Sequence, residues 1–175
     1  MNAGRIRDAR PGDAAAIAAI WNPVIRDSAV TLRDKPRPEA EIRAEIAAGQ
    51  NAGHGFFVWE DADGIGGFAS YGQFRTGGGY ARSMEHTIYV SADHQGQGIA
   101  DALLGHLEAH ARAGGARLMV GAMTGDNDRS ISFHARHGYA VWGRLPAAGF
   151  KLGQWHELVL MFKDLETAGH ISAPG

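Results

Sequence analysis

One stretch in the middle of the chain most constrains its fold. Residues 88–90 are strand formers, Gly96 and Gly98 remove side chains where the backbone must turn, and from Ile99 apolar residues recur at helical spacing. A helix N-terminus carries free amide donors, and a glycine-rich turn in front of it suits a phosphate group. Residues 88–104 therefore predict a strand, a turn and a helix that together bind a phosphate or pyrophosphate.

Composition limits the remaining possibilities. The 175 residues are 45% hydrophobic and 21% charged, which suits a single domain with a sizeable core; we assign that domain to 1–165 and a C-terminal tail to 166–175. A net charge of -2 without basic runs argues against a nucleic-acid partner. The sequence has no cysteine, no membrane-length apolar run and no signal-peptide core. We expect a cytoplasmic protein that binds no membrane and no metal.

The order of the elements predicts a mixed α/β fold. Asp13 caps a first helix, in which Pro23 predicts a bend or break because the residue before proline disfavours helical geometry. A helix connects the strand ending at Val90 to the next strand, and such crossovers make parallel pairs. The predicted strands cover 5–9, 56–60, 65–74, 83–90, 118–123, 139–143 and 155–162, and the other two helices cover 39–48 and 130–136.

The glycine spacing separates several kinds of phosphate site. A dinucleotide fingerprint, G-x-G-x-x-G, requires a third glycine where this chain has Asp101, and it lies near the first strand of its fold, whereas Gly96 and Gly98 follow a hairpin in mid-chain. A Walker A loop is absent from the sequence. Both nucleotide sites are disfavoured, which leaves another phosphate-bearing ligand or a tight turn that binds nothing.

The segment 95–100, QGQGIA, resembles the [QR]-x-x-G-x-[GA] pyrophosphate loop of the GNAT superfamily of N-acetyltransferases, which bind acetyl-CoA. Blocks 20–22, 74–90 and 149–155 are similar to blocks of its phosphinothricin and methionine-sulfoximine branch, so the resemblance covers about residues 6–165. The pattern N-x-x-S-I-x-x-H-x-x-x-G-[FY] of that branch is matched by Asn127, Ser130, Ile131, His134, Gly138 and Tyr139.

This resemblance implies a fold and a co-substrate. The fold is α/β (α+β), with a central mixed, mostly antiparallel sheet of about seven strands, splayed between the fourth and fifth and flanked by about four helices. Acetyl-CoA is the implied co-substrate: the strand 88–90 would pair with its pantetheine arm, Asn127 would bind nearby, and the loop amides would hold the pyrophosphate. The implied cofactor-binding residues are Ile88, Tyr89, Val90, Gln95, Gly96, Gln97, Gly98, Ile99, Ala100, Asp101, Asn127, Ser130 and Arg136.

Two residues carry the predicted chemistry. Glu85 stands at the glutamate that the branch uses as general base, and it would remove a proton from the ammonium of the substrate directly or through a water. An exposed strand carboxylate is the alternative. His134 stands where the branch has a histidine that would protonate the departing thiolate, and a helix histidine bonded to a neighbour is its alternative.

The acceptor is predicted to be a small amino-acid-like amine. Arg75 would clamp its carboxylate, and Lys151 would close the pocket from its own chain or from the partner subunit of an expected homodimer. The substrate-binding set is Arg75, Thr76, Gly77, Glu85, His86, Thr87 and Lys151. A different amine (a polyamine, an antibiotic or a protein N-terminus) and a non-catalytic acyl-CoA-binding module remain alternatives. The four tryptophans are expected in the core or in a pocket wall.

Overall fold

The computed structural model describes residues 4–166, so the predicted tail lies outside the described residues except for Glu166. Its strands are β1 (Arg5–Asp8), β2 (Phe56–Asp61), β3 (Gly64–Gln73), β4 (Ser83–Val90), β5 (Leu118–Thr124), β6 (Ala140–Lys151) and β7 (Gln154–Asp164). Its helices are α1 (Ala14–Asp27), α2 (Glu39–Asn51), α3 (Ile99–Ala113) and α4 (Asp128–Arg136). Short 3-10 turns lie at Pro11–Asp13, Gly78–Tyr80 and Ala92–His94.

The strands form one sheet in the order β1-β2-β3-β4-β5-β7-β6. Every neighbouring pair is antiparallel except β4 and β5, which are parallel, as the helical crossover predicts. The parallel pairing runs only from Ser83↔Leu118 to Glu85↔Val120. Beyond Glu85 the two strands diverge, and the predicted splay between the fourth and fifth strands is confirmed. Within residues 4–166, the edge of β4 that faces this gap has no sheet partner from His86 onward.

Helices cover both faces of the sheet and divide the core in two. On one face α3 buries its apolar stripe, including Leu103 and Leu107, against Met119 and Met161. On the other face α1 and α2 pack on the β2–β3 hairpin, and Trp21 lies with its ring centroid 5.1 Å from that of Phe68. The core under α3 spans the gap, because it joins Met84 of β4 to Met119 of β5.

Of the bend or break predicted in α1, the break is wrong, because the helix continues through Pro23. Trp21 and Ile25, on either side of the proline, are fully buried. The Asn22 side chain also accepts from the Arg37 backbone N–H at 2.7 Å and donates to its carbonyl at 3.0 Å. These tertiary contacts hold the helix together against the local preference of the Asn-Pro pair.

Strand β6 is longer than the predicted 139–143. Register shifts between Val141 and Gly143 and between Leu145 and Gly149 interrupt its alternation, which hides the strand from pattern analysis. Leu152 and Gly153 both have positive φ and form the tight turn into β7. Two tryptophans of this hairpin are also exposed, Trp142 by 60% and Trp155 by 66%, so the prediction that they are core or pocket wall is wrong.

Candidate functional site

The predicted anion loop lies at the start of α3. Gly96 and Gly98 have φ of +78° and +76°, and a Cβ at either would meet nothing within 4 Å. Glycine is therefore needed here for backbone conformation and not for lack of space. Gln95 accepts from Arg129 at 2.8 Å, and Gln97 donates to the Asp93 carbonyl at 3.2 Å. With these side chains engaged, the backbone amides of the loop and of the first turn of α3, at Ile99 and Ala100, are the donors available to an anion.

Two other residues predicted to bind the cofactor, Asp101 and Arg136, lie near the same loop but have other contacts. The Asp101 carboxylate lies 2.9 Å from His137 Nε2, at the end of α4, so it links the two helices. A carboxylate would repel a phosphate, and we therefore expect Asp101 to offer its backbone amide alone. Arg136 is exposed, with its guanidinium 6.0 Å from the Phe133 ring centroid.

A cleft of about 490 Å³ occupies the gap between β4 and β5. Its walls come from the α1–α2 loop, the end of β5, the start of α4 and the diverging part of β4. The structure thereby brings together predicted residues that are distant in sequence, namely Glu85, His86, Thr87, Ile88, Tyr89, Asn127, Ser130 and His134. Val90 ends β4 beyond them, paired with Gly67 of β3.

Asn127 caps α4 at the edge of this cleft. Its Oδ1 accepts from the Ser130 N–H at 3.1 Å, which fixes the start of the helix. Only this oxygen of the side chain is engaged among the described residues, so the Nδ2 group is available to donate to a ligand. The sequence predicted the ligand contact and missed the cap.

Glu85 is half-buried where the β4–β5 pairing ends. Burial raises the pKa of its carboxyl, and the charges of Arg33 and Arg75 partly offset that rise. Thr87 and Tyr89 occupy alternate positions on the same strand, as the strand pattern predicts. A carboxylate with a raised pKa at the head of a cleft is suited to accept a proton, which favours the base over the exposed-carboxylate alternative.

A second cleft, of about 390 Å³, adjoins the first. Arg33, Glu85 and Thr87 line both, so these side chains mark the junction. The Arg33 guanidinium lies 5.4 Å from the Trp21 ring centroid. Sequence analysis missed Arg33, because an arginine in a connecting segment carries no motif and its proximity to Glu85 arises only from the fold.

Arg75 lies at the rim. It is exposed, with its guanidinium 5.3 Å from the ring centroid of Phe74, and it lines neither cleft. Gln73 holds the backbone of this loop by donating to the carbonyls of Arg75 and Gly77 at 2.6 and 2.7 Å. Thr76 and Gly77 are exposed beside it. Arg75 therefore reaches Glu85 through its charge and not through a shared cleft.

Lys151 contacts the α1–α2 loop within its own chain. Its buried Nζ donates to the Thr31 carbonyl at 2.6 Å, and burial lowers its pKa. At Gly149 a Cβ would lie 2.7 Å from Leu32, so the end of β6 packs closely on the α1–α2 loop. Lys151 thereby supports the loop that carries Arg33.

His134 is buried on α4 with two partners. Its Nδ1 lies 2.7 Å from the Ser130 carbonyl oxygen, and its Nε2 lies 3.2 Å from Nε2 of His86. Burial lowers the pKa of His134, although the Ser130 carbonyl works in the opposite direction. Burial also lowers the pKa of His86, to about 3.

Two kinds of feature are absent from residues 4–166. No group of three or more His, Cys, Asp or Glu side chains is placed to hold a metal ion. Nor is any helix in this part of the chain long and apolar enough to cross a membrane.

The chain is similar in sequence to a known protein family and to proteins of named activity. The family model described as "Acetyltransferase (GNAT) family" matches residues 21–139. A methionine sulfoximine and methionine sulfone acetyltransferase of Pseudomonas paraeruginosa is 35% identical over 92% of this chain and 94% of its own. An L-amino acid N-acyltransferase of Escherichia coli is 34% identical over the same shares, 92% and 94%.

Among solved structures, a phosphinothricin acetyltransferase of Sinorhizobium meliloti in complex with acetyl-CoA superposes with a TM-score of 0.89. It is 29% identical, and the match covers 98% of this chain and 93% of that one. The family resemblance and the predicted fold are therefore confirmed, whereas the roles of individual site residues stay predictions.

Proposed function

Because the chain belongs to the acetyltransferase (GNAT) family, we propose that it transfers the acetyl group of acetyl-CoA to the α-amino group of a small amino acid. Methionine sulfoximine, methionine sulfone and phosphinothricin are the acceptor types named for its relatives. The observation that carries this proposal is the position of Glu85 and Arg33, a base and a cation, at the junction of two clefts beside the β4–β5 gap.

The residues around the gap fit acetyl-CoA. The amides that follow Gly96 and Gly98 offer donors to the pyrophosphate, and the N-terminus of α3 adds its dipole. The unpaired edge of β4 offers backbone groups to an extended pantetheine arm, and Asn127 offers its Nδ2. The co-substrate supplies the activated acetyl group, and the protein's contribution is to hold it beside the acceptor.

The acceptor must be deprotonated before it attacks. Glu85 takes the proton from the ammonium, directly or through one water, and its raised pKa matches that task. A backbone N–H of the strand 88–90 stabilises the oxyanion that forms on the thioester carbonyl. His134, on the wall of the same cleft, is our candidate for protonating the leaving thiolate.

Arg33 gives the site its preference for amino acids. The α-carboxylate of such an acceptor is attached to the carbon that bears the amine, so it must lie close to the base. Arg33 lines both clefts together with Glu85, and a guanidinium binds a carboxylate in bidentate fashion. Arg75 adds positive charge at the rim, and Lys151 supports the loop beneath Arg33.

The β6–β7 hairpin is our candidate for a homodimer interface. Its exposed apolar side chains include Trp142, Phe150, Leu152 and Trp155. A patch of this kind on one hairpin is typical of an interaction surface. We place the enzyme in the cytoplasm, with its activity carried by the single domain 1–165 and with no bound metal.

Thiol release from acetyl-CoA across a panel of acceptors tests this function. We expect turnover with methionine sulfone, methionine sulfoximine or phosphinothricin, and at least tenfold lower kcat/KM with the matching amines that lack a carboxylate. Preference for polyamines, aminoglycosides or peptide N-termini would redirect the assignment to another amine. Tight CoA binding without turnover on any amine would favour a non-catalytic binding module.

A further inference from the structure

The mechanism described above leaves one buried group unused. His86 occupies the first position of β4 beyond its pairing with β5, and only 8% of its surface is exposed. Its ring stacks on that of His134, with centroids 5.1 Å apart and planes 18° apart. The two imidazoles therefore meet where the gap between β4 and β5 begins, a place that we call the apex of the gap and define by His86 and Gly121.

The hydrogen bonds determine where the protons lie. The Ser130 carbonyl oxygen can only accept, so Nδ1 of His134, 2.7 Å away, carries a proton. In the neutral ring Nε2 of His134 then bears a lone pair. Because this nitrogen lies 3.2 Å from Nε2 of His86, the proton between them belongs to His86. Nδ1 of His86 is left as an acceptor without a partner among the described residues.

Space for this contact comes from Gly121 on β5. A Cβ there would lie 3.1 Å from His134 Nε2 and 3.2 Å from His86 Nε2. Gly121 is not among the glycines with positive φ, so its backbone would accept alanine without conformational strain. A methyl group at this position would press on both rings, which would have to shift by a few tenths of an ångström.

We propose that His86 is a positioning residue for His134: its Nε2–H donates to Nε2 of His134 and holds that ring, protonated at Nδ1, at the apex of the gap. As held, neutral His134 presents a lone pair and not a proton at Nε2. Protonation of a leaving thiolate by His134 then requires the imidazolium form: the proton of His86 moves from Nε2 to its unpartnered Nδ1, a proton taken from solvent occupies Nε2 of His134, and that proton passes to sulfur. This inference rests on the proposed function only for that last step.

Other groups around His134 bear on its titration. Tyr139 contacts both rings edge-on, and Phe133 contacts His134 from α4. Glu108 of α3, which is bound to Lys163 of β7 at 2.6 Å, raises the pKa of His134, whereas the charge of His137 lowers it. A change at His86 leaves these groups in place, so its effect on His134 can be measured separately.

Imidazole-¹⁵N NMR of the full chain, free of substrate, tests the proton positions. Between pH 6 and pH 9, a range about the ordinary histidine pKa, we expect His134 to be protonated at Nδ1 and bare at Nε2, with the reverse for His86. His134 protonated at Nε2 would overturn the proposal. Because no acceptor is added, this measurement is decisive even if the enzyme acetylates no amino acid.

Variants at His86 test its effect on His134. In His86→Leu, loss of the donated hydrogen bond should raise the pKa of His134. Loss of the ring contact should leave the His134 ring less firmly held and lower kcat by about tenfold, with KM for acetyl-CoA changed by less than about twofold. His86→Gln, which retains an N–H donor, should keep kcat within about threefold of wild type. An unchanged His134 pKa together with an unchanged kcat in His86→Leu would contradict a positioning role.

A second variant serves if His86→Leu does not fold. Gly121→Ala places a methyl group against both Nε2 atoms, and by displacing the rings it should change the same NMR signals and kcat in the same direction. The matched control is His106→Gln, an exposed histidine on α3, which should alter none of these readouts. Identical His134 signals in Gly121→Ala and in wild type would mean that the ring contact has no effect, and the proposal would fail.

Discussion

The two ends of the proposed active-site cleft are built in opposite ways. The proposed cofactor end, from 88 to 101, is one continuous segment in which backbone amides and two glycines with positive φ would carry the binding. The acceptor end is assembled from distant segments: Arg33 in a loop, Glu85 on β4 and Lys151 on β6, all acting through side chains. Backbone amides of one segment can bind a phosphate whatever their side chains are. Side chains from distant segments can distinguish one small molecule from another, but only the fold brings them together.

This difference predicts which changes affect each end. A substitution at the acceptor end should alter turnover or amino-acid affinity and leave acetyl-CoA binding intact. A substitution in the loop should do the reverse. Substitutions at four positions test that separation, beginning with the largest expected effect.

Replacement of the base should have the greatest effect. Glu85→Gln keeps the size of the side chain and removes its capacity to accept a proton, so kcat should fall by roughly 100-fold or more. The Kd for CoA, measured by calorimetry, should change by less than about twofold. Glu41→Gln, at an exposed glutamate of α2, is the control and should match wild type. Unchanged turnover in Glu85→Gln would remove Glu85 from the mechanism.

Arg33→Gln should raise KM for the amino acid by about 10- to 100-fold, because a charged hydrogen bond contributes about 1.5–3 kcal/mol. Steady-state kinetics with methionine sulfone and with the corresponding amine without a carboxylate separate a loss of carboxylate binding from a general loss of activity. The KM for the amine without a carboxylate should be nearly unchanged. Arg75→Gln should have a smaller effect, since Arg75 lies outside both clefts, and Arg10→Gln should have none. Equal losses on both substrates would argue against carboxylate binding.

The pH profile of Arg33→Gln provides a second readout. Glu85 must be ionised to act as a base, so kcat/KM for wild type should rise with pH through its raised pKa. The charge of Arg33 lowers that pKa, and its removal should move the rising limb to higher pH. A limb that stays in place would show that Arg33 does not act on Glu85.

Gly98→Val should weaken acetyl-CoA binding by about 5- to 30-fold, since a left-handed conformation costs an L-residue about 1–2 kcal/mol. The φ of +76° at this position is the reason. Gly105→Ala, in the middle of α3 with nothing within 4 Å of the added Cβ, is the matched control. Normal CoA affinity in Gly98→Val, measured by calorimetry, would contradict the assignment of the pyrophosphate loop.

Lys151→Met should have the smallest effect. Loss of its hydrogen bond to the Thr31 carbonyl loosens the loop that carries Arg33 and should raise KM for the amino acid by about two- to tenfold. KM for acetyl-CoA should stay constant, as should both constants in Lys35→Met, at an exposed lysine. A larger effect on acetyl-CoA than on the amino acid would mean that the two ends are not independent.

The same difference explains what sequence analysis could and could not predict. Gly96, Gly98 and the stripe of α3 are local signals, so the loop and the helix could be predicted from them. Arg33 carries no such signal, because its importance depends on a fold that brings a loop after α1 next to β4. Tertiary contacts also explain the two errors of secondary structure: Asn22 holds α1 together at Pro23, and register shifts conceal the second half of β6.

The short ladder between β4 and β5 has a consequence for the mechanics of the molecule. Only three residue pairs join β1–β4 to β5–β7 through the sheet. Past Glu85 no strand of residues 4–166 pairs with β4 on this side. An extended pantetheine arm bound along β4 would supply the missing backbone hydrogen bonds. We therefore expect bound acetyl-CoA to stabilise the sheet at this gap. Its binding should slow amide hydrogen exchange in residues 86–90 and in the end of β5 more than in β2 or β3.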